Sequence, residues 1–293
     1  MRILVVGSLV WDALVGPVAS LNWETTSWVD SASAGLGGNG GTTAFTIARL
    51  GGAVGLLSAC GSDGVGHLLR STLEAQGVDC IAVQFLPGPT AFTVGLYHPD
   101  GRRQLFHAPG VGALAEFAFL PPGYDHLHIA NPFALPFLRR NAPNLLQAAK
   151  SAGLTTSLDL GWDRLAAWRA VVDPCLPFVD LLFANAAEAE YVPGPYPCST
   201  VIKLGAAGCL VDGVRVPGFV VPTVDTTGAG DCFRGAFLAA KARGWEPLAA
   251  ARFANAVAAC SITHPGATPG LLDWAATENW ITQFDTVCPG VSG

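Results

Sequence analysis

Charge is scarce in this chain. Asp, Glu, Lys and Arg make up only 13% of its 293 residues, and the formal sum is −6 at pH 7. A net-acidic chain without a basic cluster lacks the electrostatic footprint of a nucleic-acid binder, so no nucleic-acid partner is expected. Arg102-Arg103 and Arg139-Arg140 are pairs only and read as solvated surface. The eight cysteines are scattered, with no CxxC and no regular spacing. They read as small buried apolar groups in a reducing cytoplasm. No stretch approaches the ~18 apolar residues of a membrane span. Met1 to Gly7 is too short for a signal peptide and has no cleavage-like pattern. A cytoplasmic protein with no membrane partner is therefore expected. Nor is there an internal repeat, a long linker, or a GxGxxG after the opening strand, where Gly7-Ser8-Leu9-Val10 stands instead. The last absence argues against a dinucleotide-binding dehydrogenase.

What is present is apolar and glycine-rich: 51% hydrophobic residues and 35 glycines. That balance suits a compact α/β enzyme with a large core. Ile3 to Gly7, Val54 to Ala59 and the segments 126–130, 155–159, 179–184 and 199–204 read as buried strands. Residues 41–50 read as a helix, as does Val65 to Gln76, which Gly77 caps. Strands alternating with helices imply a mostly parallel sheet covered on both faces, with ligands at the carboxyl ends of the strands. Segments 10–30 and 88–108 break the alternation. They look like β-hairpins added to the core, a lid or an oligomer contact, the second around Pro99-Asp100-Gly101. The tail ending Cys288-Pro289-Gly290-Val291-Ser292-Gly293 is expected to pack loosely. His126 and His128 would face one side of a strand, and two histidines are too few for a zinc site.

The most informative stretch runs from Val224 to Phe237. Gly228-Ala229-Gly230 ends in Asp231, and Phe233, Ala236, Phe237 and Ala240 follow at helical spacing, with Gly244 as a stop. The glycine turn thus falls at a helix N-terminus, where free amides and the helix dipole favour an anion. Asp231 in the first turn places an acceptor beside that anion site. This pairing is what phosphoryl transfer to a hydroxyl requires.

The same residues resemble the ribokinase-like, or PfkB-type, carbohydrate kinases. Asp225-Thr226-Thr227-Gly228-Ala229-Gly230-Asp231, followed by Gly235-Ala236-Phe237-Leu238, is similar to that family's C-terminal signature. Gly37-Gly38-Asn39-Gly40-Gly41 resembles its N-terminal glycine signature, and Gly61-Ser62-Asp63-Gly64-Val65-Gly66 the stretch after it. Asn185-Ala186-Ala187-Glu188 looks like its Asn-x-x-Glu motif, and Val201 to Gly208 like its nucleotide loop. The resemblance covers roughly residues 1–270.

It implies a single domain over residues 1–293, a three-layer α/β/α sandwich with a mostly parallel sheet and a small β-sheet lid. It also implies transfer of the ATP γ-phosphoryl group to a hydroxymethyl group of a sugar or sugar-like molecule. Asp231 would be the base, with Gly228, Ala229 and Gly230 as the anion hole. Asp12, Gly37, Gly38 and Thr42 would bind the acceptor, although many members carry asparagine where Thr42 stands. Asn185, Glu188, Lys203, Gly205, Gly208 and Asn255 would bind the nucleotide, Glu188 also placing Mg²⁺ through water. Asp225 and Thr227 match positions that bind a monovalent cation such as K⁺. Arg234 either meets an acidic group on the substrate, or a phosphate, or faces outward from its helix. A phosphosugar acceptor would need a basic cluster near the lid, for which Arg102, Arg103, Arg139 and Arg140 are the candidates. A nucleoside kinase of the same superfamily and a catalytically idle nucleotide-binding regulator are the rival readings, and a homodimer through the lid is the expected assembly.

Overall fold

Residues 1–100 and 102–287 are described by the computed structural model. Gly101 of the expected turn and the tail from Cys288 onward lie outside the described residues. The first part of the chain runs β1 (Ile3–Val6), β2 (Val10–Gly16), β3 (Ser31–Gly37), α1 (Asn39–Arg49), β4 (Val54–Gly61), α2 (Gly64–Gln76), β5 (Val83–Leu86), β6 (Phe92–Tyr97) and β7 (Arg103–Ala108). It continues through β8 (His126–Ile129), α3 (Pro136–Ser151), β9 (Thr155–Asp159), α4 (Trp168–Val172), β10 (Leu181–Asn185), α5 (Ala186–Tyr191) and β11 (Ser199–Lys203). Then come β12 (Cys209–Val211), β13 (Val214–Val216), α6 (Ala229–Ala242), α7 (Pro247–Ser261) and α8 (Trp274–Val287).

Strand alternation decides the layers. Every side chain of β1 is buried, and successive side chains of a strand point to opposite faces. Ile3 and Val5 join one core, with Ile47 of α1, Leu69 of α2, Phe237 of α6 and Phe253 of α7. Leu4 and Val6 join another, with Leu138 and Leu146 of α3 and Trp168 of α4. The large sheet is therefore covered on both faces. Its order is β13-β12-β11-β10-β9-β8-β1-β4-β5, parallel except for the antiparallel pairs at β12 and β13.

β1 pairs with β4 on one side and β8 on the other. The strand order reverses there, and in open α/β sheets the crevice at the carboxyl ends beside such a reversal is where ligands bind. A second sheet, ordered β3-β2-β6-β7, stands apart. Within it β2–β3 and β6–β7 are antiparallel, and the parallel pair β2–β6 joins the two hairpins.

Two expectations need correction. The first hairpin does not close within 10–30, because its returning strand β3 begins at Ser31. Ser31-Ala32-Ser33-Ala34-Gly35 carries none of the β-branched or aromatic residues that mark a strand, and pairing with β2 supplies what propensity does not. The terminal strands β12 and β13 were not expected at all. Their turn is Asp212-Gly213, both at positive φ (48° and 83°), the two-residue hairpin connection that Asp-Gly favours.

Phe183 of β10 is fully buried and meets Phe237 of α6 edge-on at 5.4 Å. Phe183→Ala should cost about 3–5 kcal/mol in urea denaturation. An unchanged midpoint would contradict this packing of α6 on the sheet.

Candidate active site

Helix α6 begins at the crevice. Gly228 is its N-cap at φ 73°, and a Cβ there would collide with the Ala267 side chain, so only glycine makes this entry. Among the described residues the amides of Gly228 and Gly230 have no hydrogen-bond partner. The Ala229 amide donates to the Thr226 carbonyl at 3.3 Å, so one of the three expected hole amides is weakly engaged by the chain itself. Asp231 sits in the first turn with its side chain 21% exposed.

A cavity of about 350 Å³ opens against this turn. Its walls come from the carboxyl ends of four neighbouring strands: Ala130 and Asn131 after β8, Gly161 after β9, Asn185 and Glu188 at β10, Lys203 and Gly205 at β11. Asn39 of α1 and Gly230, Asp231 and Arg234 of α6 complete it.

Charge in the cavity is organised by Asp159, the last residue of β9 and fully buried. Its Oδ2 receives Lys203 Nζ at 2.5 Å and Arg234 Nη1 at 2.6 Å, and its Oδ1 accepts from the Gly161 amide at 2.9 Å. Burial pushes this carboxyl up, but the Arg234 and Lys203 charges outweigh it and hold it below the ordinary carboxylate value. The other terminal nitrogen of the Arg234 guanidinium, Nη2, contacts Asp231 Oδ1. Arg234 is only 4% exposed, so of its two sequence readings the outward-facing one is excluded.

Asn185 and Glu188 form a reciprocal cap on α5. The Asn185 side chain accepts from the Glu188 amide, and Glu188 Oε2 accepts from the Asn185 amide, both at 2.8 Å. The motif is thus a helix start and a cavity wall at once. Burial, with Asp159 close by, raises the Glu188 carboxyl.

Asp12 of β2 and Gly37 of β3 meet on the smaller sheet. A Cβ at Gly37 would overlap the Asp12 carboxylate, so the glycine makes room for it. Burial pushes Asp12 up to about 6, with the Thr93 hydroxyl opposing and the Asp225 charge adding to the rise. Gly38, at φ 82°, is the N-cap of α1. Thr42 lies inside α1 at 1% exposure, and its Oγ1 is buried without a partner.

A clip joins the smaller sheet to the loop before α6. Arg103 Nη1 of β7 donates to Thr227 Oγ1 at 2.9 Å and lies 3.8 Å from Asp225 Oδ1. Asp225 also accepts from the Thr227 amide and hydroxyl and from the Gly266 amide, at 2.7–2.9 Å. The other candidate basic residues are paired as well, Arg102 with Asp100, Arg139 with Asp163 and Arg140 with Glu116. They form no free basic cluster. Gly208 and Asn255 are not cavity walls: the Asn255 amide nitrogen donates to the Val216 and Pro217 carbonyls at 3.3 and 3.0 Å.

Asp231, Gly230, Asn185, Glu188, Lys203 and Gly205 therefore converge on one cavity, of which Gly228 and Ala229 are not walls. Asp12 and Gly37 meet on the smaller sheet, Gly38 caps α1, and Thr42 stands against Gly228, its Cγ2 3.4 Å from where a Gly228 Cβ would be. Asp159 and Asn131 were missed, and Arg103, named only as a candidate for a basic cluster, was not expected to clip Thr227 and Asp225. The first two end or follow expected strands, and that position at the carboxyl edge was the available signal.

A helix N-terminus with two unpartnered amides, a carboxylate in its first turn and a lysine beside it, on an α/β sandwich, has the donors and acceptor that suit phosphoryl transfer. The sequence matches the pfkB family of carbohydrate kinases over residues 1–195 and 198–274. It is 30% identical over 288 residues to an ATP-dependent ribose-1-phosphate kinase of Halopiger xanaduensis, covering 91% of this chain and 94% of the relative. The fold superposes on Arabidopsis thaliana ribokinase, solved with ribose and ATP, at TM-score 0.80, 22% identity and coverage of 95% and 97%. It superposes equally on the nucleoside kinase of Burkholderia thailandensis, solved with inosine, at TM-score 0.80, 20% identity and coverage of 98% and 97%. The chain belongs to the pfkB family of carbohydrate kinases and has the ribokinase fold.

The raised Asp12 value gives a stability prediction with a definite sign. Stability associated with this group is present below its ordinary 3.8 and lost as pH rises through about 6. Asp12→Asn should therefore stabilise the protein at pH 7.5, by up to about 3 kcal/mol, and change little at pH 4. Urea midpoints at the two pH values check this, and equal shifts at both would contradict it.

Proposed function

We propose that the protein transfers the γ-phosphoryl group of ATP to a hydroxymethyl group of a sugar or sugar-like acceptor, as one kinase domain spanning residues 1–293 with the smaller sheet as lid. The observation that carries the reading is the unpartnered pair of amides at Gly228 and Gly230, beside Asp231 and with Lys203 Nζ 3.6 Å from where a Gly230 Cβ would stand. Preorganised donors at a helix N-terminus stabilise charge developing on phosphoryl oxygens. The Ala229 amide, with its long bond to Thr226, is the third and weaker donor.

Asp231 accepts the proton of the acceptor hydroxyl and aims its oxygen. With a loose transition state, that orientation matters as much as proton removal. Asp12 accepts hydrogen bonds from acceptor hydroxyls, and Gly37 and Gly38 let the acceptor approach the backbone. Thr42 supports that wall from behind, with its hydroxyl as the polar group still to be satisfied. Lys203 neutralises phosphate charge. Gly205 and Gly208 shape the nucleotide loop, and Asn255 fixes the β13 edge beside it. The residues fit Mg²⁺, since one buried carboxylate, Glu188, fixed by Asn185, suffices for a cation that keeps most of its waters. When bound, it would offset charge on the phosphates. K⁺ at Asp225 and Thr227 belongs to the same reading, with Arg103 as its competitor for that charge.

The smaller sheet leaves all of β7 exposed, Phe106 by 50%, which favours a homodimer through it. Seven described cysteines are free thiols, in keeping with a cytoplasmic setting. No helix among the described residues is long and apolar enough to cross a membrane.

An ATP-consumption screen over sugars, phosphosugars, sugar acids and nucleosides tests the assignment. Turnover with a sugar is expected. Turnover with nucleosides alone would replace the acceptor, and none with any acceptor would contradict the reading. Asp231→Ala should keep ATP affinity and lower turnover about 10²–10⁴-fold. Unchanged turnover would remove Asp231 from the mechanism.

A further inference from the structure

The phosphoryl-transfer reading assigns no part to Arg234, yet it is buried and paired with two carboxylates at the cavity. It is 4% exposed, and its Nε is buried without a partner. Its two terminal nitrogens are spent on two different carboxylates, Asp159 on β9 and Asp231 on its own helix. Asp159 is in turn fixed by Lys203 and by the Gly161 amide. Helix α6 is buried from Cys232 through Ala240, so the guanidinium borders the cavity and has no outer surface to turn toward.

We propose that Arg234 is a positioning residue: anchored on Asp159, it holds the Asp231 carboxylate in the orientation that meets the acceptor hydroxyl. The inference rests on the kinase reading. Its physical basis is the planar fork of arginine, which can bond two carboxylates in fixed directions at once, whereas a lysine ammonium is a point charge on a flexible stem. An i,i+3 contact alone would leave Asp231 free to turn with its own rotamer. The bridge to β9 ties it to the sheet. The other charged groups around the cavity are Lys203 from β11 and Glu188 from α5.

Two measurements test this. In the ligand-free protein, ¹³C carboxyl resonances are titrated in wild type, Arg234→Met and Arg234→Lys, the Asp231 signal being identified by its loss in Asp231→Asn. The Asp231 resonance should titrate at higher pH in Arg234→Met, because the opposite charge favouring the ionised form is gone. Arg234→Lys should fall between the two, and it carries the test if the methionine variant does not fold.

In turnover, Arg234→Lys or Arg234→Met should lower kcat about 10²-fold, as misplacement of a catalytic group does, with ATP affinity retained. In an Asp231→Asn background the same change should cost nothing further. An unmoved Asp231 titration overturns the proposal. So does a full additional loss in the Asp231→Asn background, which would mean that Arg234 acts on the phosphoryl group itself. Wild-type protein inert toward every acceptor would overturn the kinase reading, and with it the catalytic half of this inference, even if the titration moved as expected.

Discussion

A carboxylate sealed from water sets the geometry of the cavity. Burying Asp159 is costly unless its charge is matched and its oxygens are bonded, and here both conditions are met by groups from other elements. Lys203 arrives from β11, Arg234 from α6 and the Gly161 amide from the loop after β9. The cost of leaving any of them out is what fixes the helix against the sheet at this point. A buried ion network is weak evidence for stability, but strong evidence for a defined arrangement of the groups around it. Once Asp159 is satisfied, the lysine, the arginine and the carboxylate of Asp231 have little freedom left.

The apolar core works to the same end. Phe233 and Phe237 on α6 and Phe183 on β10 press the helix onto the sheet, which brings Gly230 to the cavity wall, and the Gly228 and Gly230 amides have no partner among the described residues. The smaller sheet is held over the same loop from the other side by Arg103 on Thr227 and Asp225. Three independent attachments thus meet within the segment from Asp225 to Arg234. The Asp12 carboxyl on that smaller sheet is raised chiefly by burial, so the protein holds it more easily uncharged than an exposed carboxyl.

Much of this was legible in the sequence because its cause is local. A glycine turn before an amphipathic run announces a helix N-terminus, and Asn185 with Glu188 announces a capped one. The strand and helix alternation fixed the layers because burial on both faces writes continuous apolar runs. What escaped notice depends on distance along the chain. Asp159 and Lys203 are 44 residues apart, and no periodicity links them. Arg234 had two readings because its facing is set by how completely α6 is enclosed, which is a property of the packed fold. The β3 strand and the Asp212-Gly213 hairpin were passed over because small residues and three-residue strands carry little pattern. Thr42 stood beside the glycine signature in sequence, yet its side chain is enclosed where α1 packs against the Gly228 turn.

The central claim is that the amides at the start of α6 receive the terminal phosphate. Backbone amide NMR of the protein titrated with ADP and with a non-hydrolysable ATP analogue, each with Mg²⁺, addresses it most directly. The Gly228 and Gly230 resonances should shift with the analogue and stay near their free positions with ADP. Equal shifts with both nucleotides, or none with either, would contradict the account.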